Sequence, residues 1–363
     1  MPTTTGLTIP FTGIQRQYNN LRTEILDATD SVLRSGNLMS GNWTAEFEHW
    51  LSKRNHSKYA ITCHSGTQAL EIIAEYYATC VSINPPKVLL PAMSFPATAN
   101  AFVRAGWALE FVDVDAYGQI EYSKIDRSHS IQALCVVGLY GHALRNDQAY
   151  FYTDLVIEDG AQHWLSNDCT RRGKATAISF DPTKNLPNYG NGGAVITEDR
   201  HLANFARDWV MHGKRNNHVE PGSNSRMSEV DCAQMMVKTR YIDRWQQRRG
   251  QIVDHWIAML KDSPVRSLID RSNRDTHAFH KFVIDVNNRD QLVKDLKLRG
   301  IETKVHYDKP LWDLPAFVHQ DSPEKFMSSA AALCHRCLSL PLYPELTDLE
   351  VEYIIDRVLD CAS

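Results

Sequence analysis

The chain has 363 residues, 43% of them hydrophobic, and a formal net charge of −4, with a pI near 6.4. That length and apolar content allow one large domain with a smaller companion and exclude a disordered chain. The charge offers no basic field for nucleic acid, so small-molecule partners are favoured. The opening MPTTTGLTIP lacks a basic region followed by an apolar run, and no stretch approaches bilayer-spanning length. A soluble, cytoplasmic protein without membrane contact is expected.

Eight cysteines (Cys63, Cys80, Cys135, Cys169, Cys232, Cys334, Cys337 and Cys361) lie mostly in apolar contexts and are expected to be reduced, packed thiols. Cys334 and Cys337 form a lone C-x-x-C that runs into LSLP, with no second pair at zinc-site spacing. No metal or redox role is expected there.

Residues 14 to 34 place Ile14, Tyr18, Leu21, Ile25, Ala28 and Val32 at helical spacing, and SGN closes the helix. A second helix follows from Trp43, with Asn42 as its expected cap. Tyr59 to Cys63 reads as a strand that feeds a helix through Ser65-Gly66-Thr67. A helix start presents unpaired N–H groups and the positive dipole end, so this turn is either an ordinary cap or a phosphate seat. Strands are then predicted at Lys87 to Pro91, Leu109 to Asp115, Ala133 to Tyr140, Asp154 to Glu158, Ala175 to Phe180 and Ala194 to Thr197. Helices at Ala97 to Ala105 and Leu202 to Met211 alternate with them, which indicates an α/β fold with a mainly parallel sheet flanked by helices.

After a turn-rich piece and a long helix, the polar WQQRRG suggests a boundary, giving a large domain 1–245 and a small C-terminal α+β domain 246–363. In the latter, strands are predicted at Ala278 to Val286 and Thr303 to Tyr307 and a helix at Gln291 to Leu298. A final helix is capped by Thr347-Asp348.

Ligands of parallel sheets bind at the carboxyl ends of the strands, and Thr67, Asp159 and Lys184 recur there. Lys184 sits just past a buried-looking strand, in a segment broken by Pro182, Pro187, Gly190, Gly192 and Gly193. A phosphate seat, a carboxylate and a lysine amine together suit pyridoxal 5′-phosphate (PLP). Its aldehyde takes a lysine, and its pyridine nitrogen stays protonated beside an ionised carboxylate, here Asp159. Gln162 would then hydrogen-bond the ring oxygen and Phe95 cover the ring face.

The motifs SGT-x-AL (65–70), SFPAT (94–98), FVDVD (111–115), LYG (139–141) and EDGAQ (158–162) come in an order that continues with SF-x-x-x-K-N-L (179–186), GNGGAVITED, G-x-N-x-RM (222–227), VHY (305–307) and LSLPLYPELT. From about Ile14 to its end the chain resembles the DegT/DnrJ/StrS family of PLP-dependent nucleotide-sugar aminotransferases, of the aspartate-aminotransferase fold type (fold type I). The resemblance implies that Lys184 holds PLP and shuttles the proton, Asp159 pairs with the pyridine nitrogen and Gln162 contacts the ring hydroxyl. It also implies that Gly66, Thr67 and Ser179 bind the phosphate, with Asn224 reaching across from the second subunit of a homodimer. Tyr189, His306 and Tyr307 fall on the implied substrate side. The implied reaction converts a keto group on a nucleotide-linked sugar to an amine with nitrogen from glutamate or glutamine, and K-N-L-x-x-x-G-x-G-G with KTRYIDRWQQRR looks most like members acting on 3-keto-6-deoxy sugars of dTDP. Departures from the pattern are Asn191, His163-Trp164, Asp308-Lys309 and a short Gly141-to-Glu158 connection. The first two are expected to touch the substrate side. Two other readings stand beside this one: a dehydratase of the same family, which carries histidine in place of the lysine, and a binding or sensory protein that keeps the fold without turnover.

Overall fold

The computed structural model describes residues 8–126, 130–144, 147–166, 173–319 and 328–362. Two helices open the chain, α1 (Ile14–Ser35) and α2 (Asn42–Arg54), followed by β1 (Tyr59–Cys63), α3 (Gly66–Cys80), β2 (Lys87–Pro91), α4 (Pro96–Arg104) and β3 (Ala108–Val112). Next come β4 (Ala133–Val137), β5 (Val156–Asp159), β6 (Ala175–Ser179), β7 (Gly193–Thr197), α5 (Arg200–Trp209), α6 (Glu229–Thr239) and α7 (Ile242–Met259). The remainder is β8 (Arg266–Ser267), β9 (Phe282–Asp285), α8 (Arg289–Leu298), α9 (Ser328–Arg336), β10 (Cys337–Leu340) and α10 (Asp348–Ala362).

A sheet of seven strands, in the order β1-β7-β6-β5-β4-β2-β3, forms the larger layer. β7 is antiparallel to both of its neighbours, while β6, β5, β4, β2 and β3 pair in parallel. β1 therefore runs with the parallel set, and only β7 opposes it. The four central strands, β7, β6, β5 and β4, are buried at every residue, as expected of a sheet covered on both faces. α3, with Ala69, Leu70, Ile72, Ile73 and Ala74 buried, packs on one face. On the other, Phe47 and Leu51 of α2 and Cys232 and Met235 of α6 cover Ile178, Phe180 and Ile196.

β10-β9-β8 form a second, antiparallel sheet. It shares a core of Trp256, Phe282, Ile284, Leu296 and Ile354 with α7, α8 and α10, and Ile9 joins it from the start of the described chain. α7 passes through residues 245 and 246 without a break.

Several elements differ from expectation for local reasons. α2 is not capped by Asn42: the Glu229 carboxylate accepts from the amides of Gly41, Trp43 and Thr44 at 2.9 to 3.0 Å, supplying from α6 what a local side chain would otherwise give. The strand expected to reach Tyr140 stops at Val137, since Tyr140 takes φ 64 inside a 3-10 turn over Leu139–Gly141. Residues 303–307 contribute only a single bridge, Lys304 to Ser339, because β10 is the actual partner of β9. The closing helix is capped as expected, Thr347 Oγ1 accepting from the Glu350 amide at 3.2 Å while Glu350 accepts from the Thr347 amide at 2.9 Å. The seven described cysteines are free, five of them buried. Cys169 lies outside the described residues. No described helix is long and apolar enough to cross a membrane.

Candidate active site

Because six strands of the large sheet share a direction, the segments leaving β1, β2, β5 and β6 emerge along one edge, where antiparallel β7 begins. A cavity of about 390 Å³ lies there, lined by Gly66, Thr67, Phe95, Asp159, Gln162, Ser179, Lys184, His306 and Tyr307 among others. Two expected residues are elsewhere. Tyr189 has its ring 3.4 Å beneath Lys238 Nζ and edge-on to Tyr18 at 5.9 Å. Asn224 is exposed, in a bridge with Met211.

At the floor, α3 starts directly after β1, and Ser65 Oγ accepts from the Gln68 amide at 3.2 Å. This is a helix cap whose first-turn amides carry the positive dipole end. Glycine is required on both sides of the turn. A Cβ on Gly66 would come 2.6 Å from Ser179 Cβ, and one on Gly193 would come 2.3 Å from the Ser65 carbonyl carbon. The result is a backbone cradle of the kind that seats phosphate.

Asp159 ends β5 and is 5% exposed. Thr98 donates its hydroxyl to Asp159 Oδ2 at 2.7 Å, and the Ala161 amide donates to Oδ1 at 3.1 Å. Having given its single proton to the carboxylate, Thr98 accepts from Ser94 Oγ at 2.7 Å. A buried carboxylate needs such donors, and α4 supplies Thr98 from its first turn. Sequence reasoning assigned Thr98 no role, although it closes the SFPAT motif.

The lysine is presented by a turn in which the Lys184 amide donates to Asp181 O at 2.8 Å. Downstream, the Asn185 side-chain amide donates to Ala278 O at 2.6 Å and buried Lys238 Nζ donates to Pro187 O at 2.6 Å. Burial pushes the Lys184 amine below its usual value, against the opposing pull of the Asp159 and Asp181 carboxylates. A nearer-neutral amine is a better nucleophile and proton carrier.

Tyr140 ties the remaining pieces together. Its amide donates to Gln162 Oε1 at 2.8 Å, its hydroxyl to His306 O at 2.5 Å, and its carbonyl accepts from the Lys281 amide at 3.1 Å. Gln162 Nε2 donates to the Tyr307 hydroxyl at 3.3 Å. His280 lies 3.2 Å from both Gln162 Oε1 and Thr183 O, and burial, helped by Lys281, Lys184 and Arg249, holds it well below the usual histidine range. His306 is pushed down to about 2, first by burial and then by Lys281, Lys184 and Lys304, so its ring is neutral. Phe95 stands at the rim, 54% exposed, with its ring 5.9 Å from that of Tyr307.

Asn191 lines the cavity. His163 and Trp164 do not: His163 is buried with Nε2 3.8 Å from Glu158 Oε2, and Trp164 packs edge-on against Trp50 and Phe180. Their bulk is absorbed by the core behind the sheet.

The sequence matches the DegT/DnrJ/EryC1/StrS aminotransferase family over residues 19–359. The chain belongs to this family. A pleiotropic regulatory protein of Geobacillus stearothermophilus is 30% identical, over 98% of each chain. The dTDP-3-amino-3,4,6-trideoxy-alpha-D-glucose transaminase of Streptomyces venezuelae is 28% identical over 98% of this chain and 96% of its own. Among solved structures, S. venezuelae DesV superposes with a TM-score of 0.91 at 27% identity, over 98% of this chain and 99% of its own. The likeness spans both sheets, so this member of the aminotransferase family has the family's α/β fold from end to end.

Proposed function

We propose that this aminotransferase uses PLP to convert the keto group of a nucleotide-linked sugar, of the dTDP-3-keto-6-deoxyhexose type, into an amine taken from glutamate or glutamine. The observation that carries the reading is the meeting of Lys184, a Thr98-braced Asp159 and a glycine cradle in one cavity. These residues fit the cofactor: the lack of Cβ atoms on Gly66 and Gly193 lets the helix start pack against Ser179 and β7 where Gly66 and Thr67 line the cavity, and Asp159 is a buried carboxylate with donors on both oxygens.

Gly66, Thr67 and Ser179 would hold the phosphate, Asp159 would hold a proton on the ring nitrogen, and Gln162 would donate to the ring oxygen. Lys184 is the covalent anchor. Its Nζ would take the proton from the substrate carbon and return it. When bound, PLP supplies the electron sink that makes that carbon acidic. Phe95 covers the ring, and His306, Tyr307 and Asn191 face the sugar. Tyr189, held under Lys238, acts on the substrate side by fixing the segment after Lys184.

Asn224, exposed and away from the cavity of its own chain, serves the site of a second subunit in a homodimer. Residues 1–245 and 246–363 act as large and small domains joined through α7. Nucleotide-linked substrates and free thiols fit a cytoplasmic setting.

A regulatory reading has the name of the Geobacillus relative in its favour. The dehydratase reading lacks its histidine, since position 184 is lysine. Incubating the purified protein with L-glutamate, PLP and a panel of nucleotide keto-sugars, read by mass, tests the proposal. Gain of an amine on a dTDP-linked 3-keto sugar is expected. Amination of none of the panel would refute it.

A further inference from the structure

Lys281 is the buried cation that the reading above does not use. It precedes β9, is 5% exposed, and lines the cavity around Lys184 on both sides of the lysine turn. Only its backbone is engaged, through the amide bond to Tyr140 O at 3.1 Å. Among the described residues its Nζ has no hydrogen bond or ion pair, and its nearest aromatic contact is the Phe11 ring at 5.5 Å. Lys304 approaches the same ring at 5.3 Å.

The surroundings make this amine costly. Burial holds it well below its usual value, Lys184, Arg249 and Lys304 add to that, and Asp181 opposes them. His280 and His306, which also face it, are held neutral by burial first and by these cations second. Arg249 spends its Nη1 on Leu342 O at 2.7 Å and Phe279 O at 3.4 Å, while its buried Nε has no hydrogen-bond partner among the described residues. A lysine lining the same cavity as a reactive amine, with no carboxylate in ion-pair range among the described residues, is positioned for an anion that arrives from outside.

Transamination brings such an anion in each cycle, because the amino donor and the oxo acid it becomes are dicarboxylates when the donor is glutamate. We propose that Lys281 binds a carboxylate of the amino donor, setting the specificity of the donor half of the reaction. The proposal rests on the aminotransferase reading of the same cavity. It assigns Lys281 no contact with the sugar. A bound carboxylate favours the ammonium form of Lys281 and supplies its Nζ with a charge-assisted hydrogen bond.

The test is equilibrium binding of 2-oxoglutarate to the PLP-loaded protein, followed by calorimetry, for wild type and Lys281→Met. Methionine keeps the unbranched length and removes the charge. Loss of one charge-assisted bond predicts binding weaker by about 10- to 100-fold, with the cofactor's visible spectrum and dTDP binding unchanged. Lys281→Gln, which keeps a donor, carries the same test if the methionine variant folds poorly, and is expected to fall between. Wild-type affinity for 2-oxoglutarate in both variants would overturn the proposal. So would a loss confined to dTDP or to a dTDP-sugar, which would assign Lys281 to the sugar side. A wild-type protein that binds 2-oxoglutarate through Lys281 yet never exchanges its amine would defeat the aminotransferase reading and leave the carboxylate site standing.

Discussion

Thr98→Val removes one hydroxyl from a fully buried side chain and keeps its shape. The lost group donates to Asp159 Oδ2 at 2.7 Å and accepts from Ser94 Oγ at 2.7 Å, so both partners are left with a vacancy. A hydrogen bond to a charged acceptor contributes about 1.5 to 3 kcal/mol. If Thr98 fixes the orientation in which Asp159 meets the cofactor nitrogen, that energy appears as cofactor affinity, and the Kd for PLP rises by about 10- to 100-fold. Titration of the apo protein with PLP, followed by fluorescence quenching, measures this directly. Thermal unfolding of both apo proteins separates it from any general loss of stability. A Thr98→Val protein that binds PLP within about twofold of wild type, below any effect expected of a charge-assisted bond, would refute the idea that Asp159 is braced for the cofactor.

Lys184→Ala is expected to abolish covalent attachment of PLP and all amine transfer; accumulation of amino sugar by the variant would contradict the assignment. Asp159→Ala should retain PLP weakly and lose most of its rate, and near-normal turnover would mean that another carboxylate serves the ring nitrogen. Gly66→Ala places a Cβ 2.6 Å from Ser179 Cβ and is expected to weaken PLP binding while the apo fold survives, as checked by titration and circular dichroism. Lys238 is buried and its amine is lowered to about 7, chiefly by burial. Between there and the ordinary lysine value the unfolded chain binds the extra proton, so stability rises with pH across that window. Wild type should therefore gain stability relative to Lys238→Met from about pH 7 to pH 10, and parallel curves in denaturant titrations would contradict it.

The residues proposed to do the chemistry were the most legible. Lys184, Asp159 and the S-G-T helix start each sit at the end of a strand whose apolar pattern is plain, and a parallel sheet brings such ends together whatever the details of its edges. What escaped was whatever depends on a partner distant in the chain. Thr98 acquires its role only because β2 and β5 flank β4 in the sheet, which no local spacing shows. Asn42 looked like a cap until Glu229, from a helix far along the chain, took over those amides. His163 and Trp164 follow the glutamine by one and two residues yet turn into the core, because the strand end reverses at Gly160 and the ring of Trp164 finds Trp50 and Phe180. Lys281 did leave a signal, a lone cation inside the apolar run AFHKFVI, but a strand pattern gives no means of telling a surface lysine from one aimed into a cavity.

The central claim is that Lys184 anchors PLP in this cavity and passes an amine through it. Mixing the PLP-loaded protein with L-glutamate alone, without any sugar, and following the visible spectrum tests that claim without knowledge of the acceptor. Loss of the lysine-bound cofactor band in favour of the pyridoxamine form, with release of one 2-oxoglutarate for each site, is the predicted result. An unchanged spectrum with PLP still bound would contradict it.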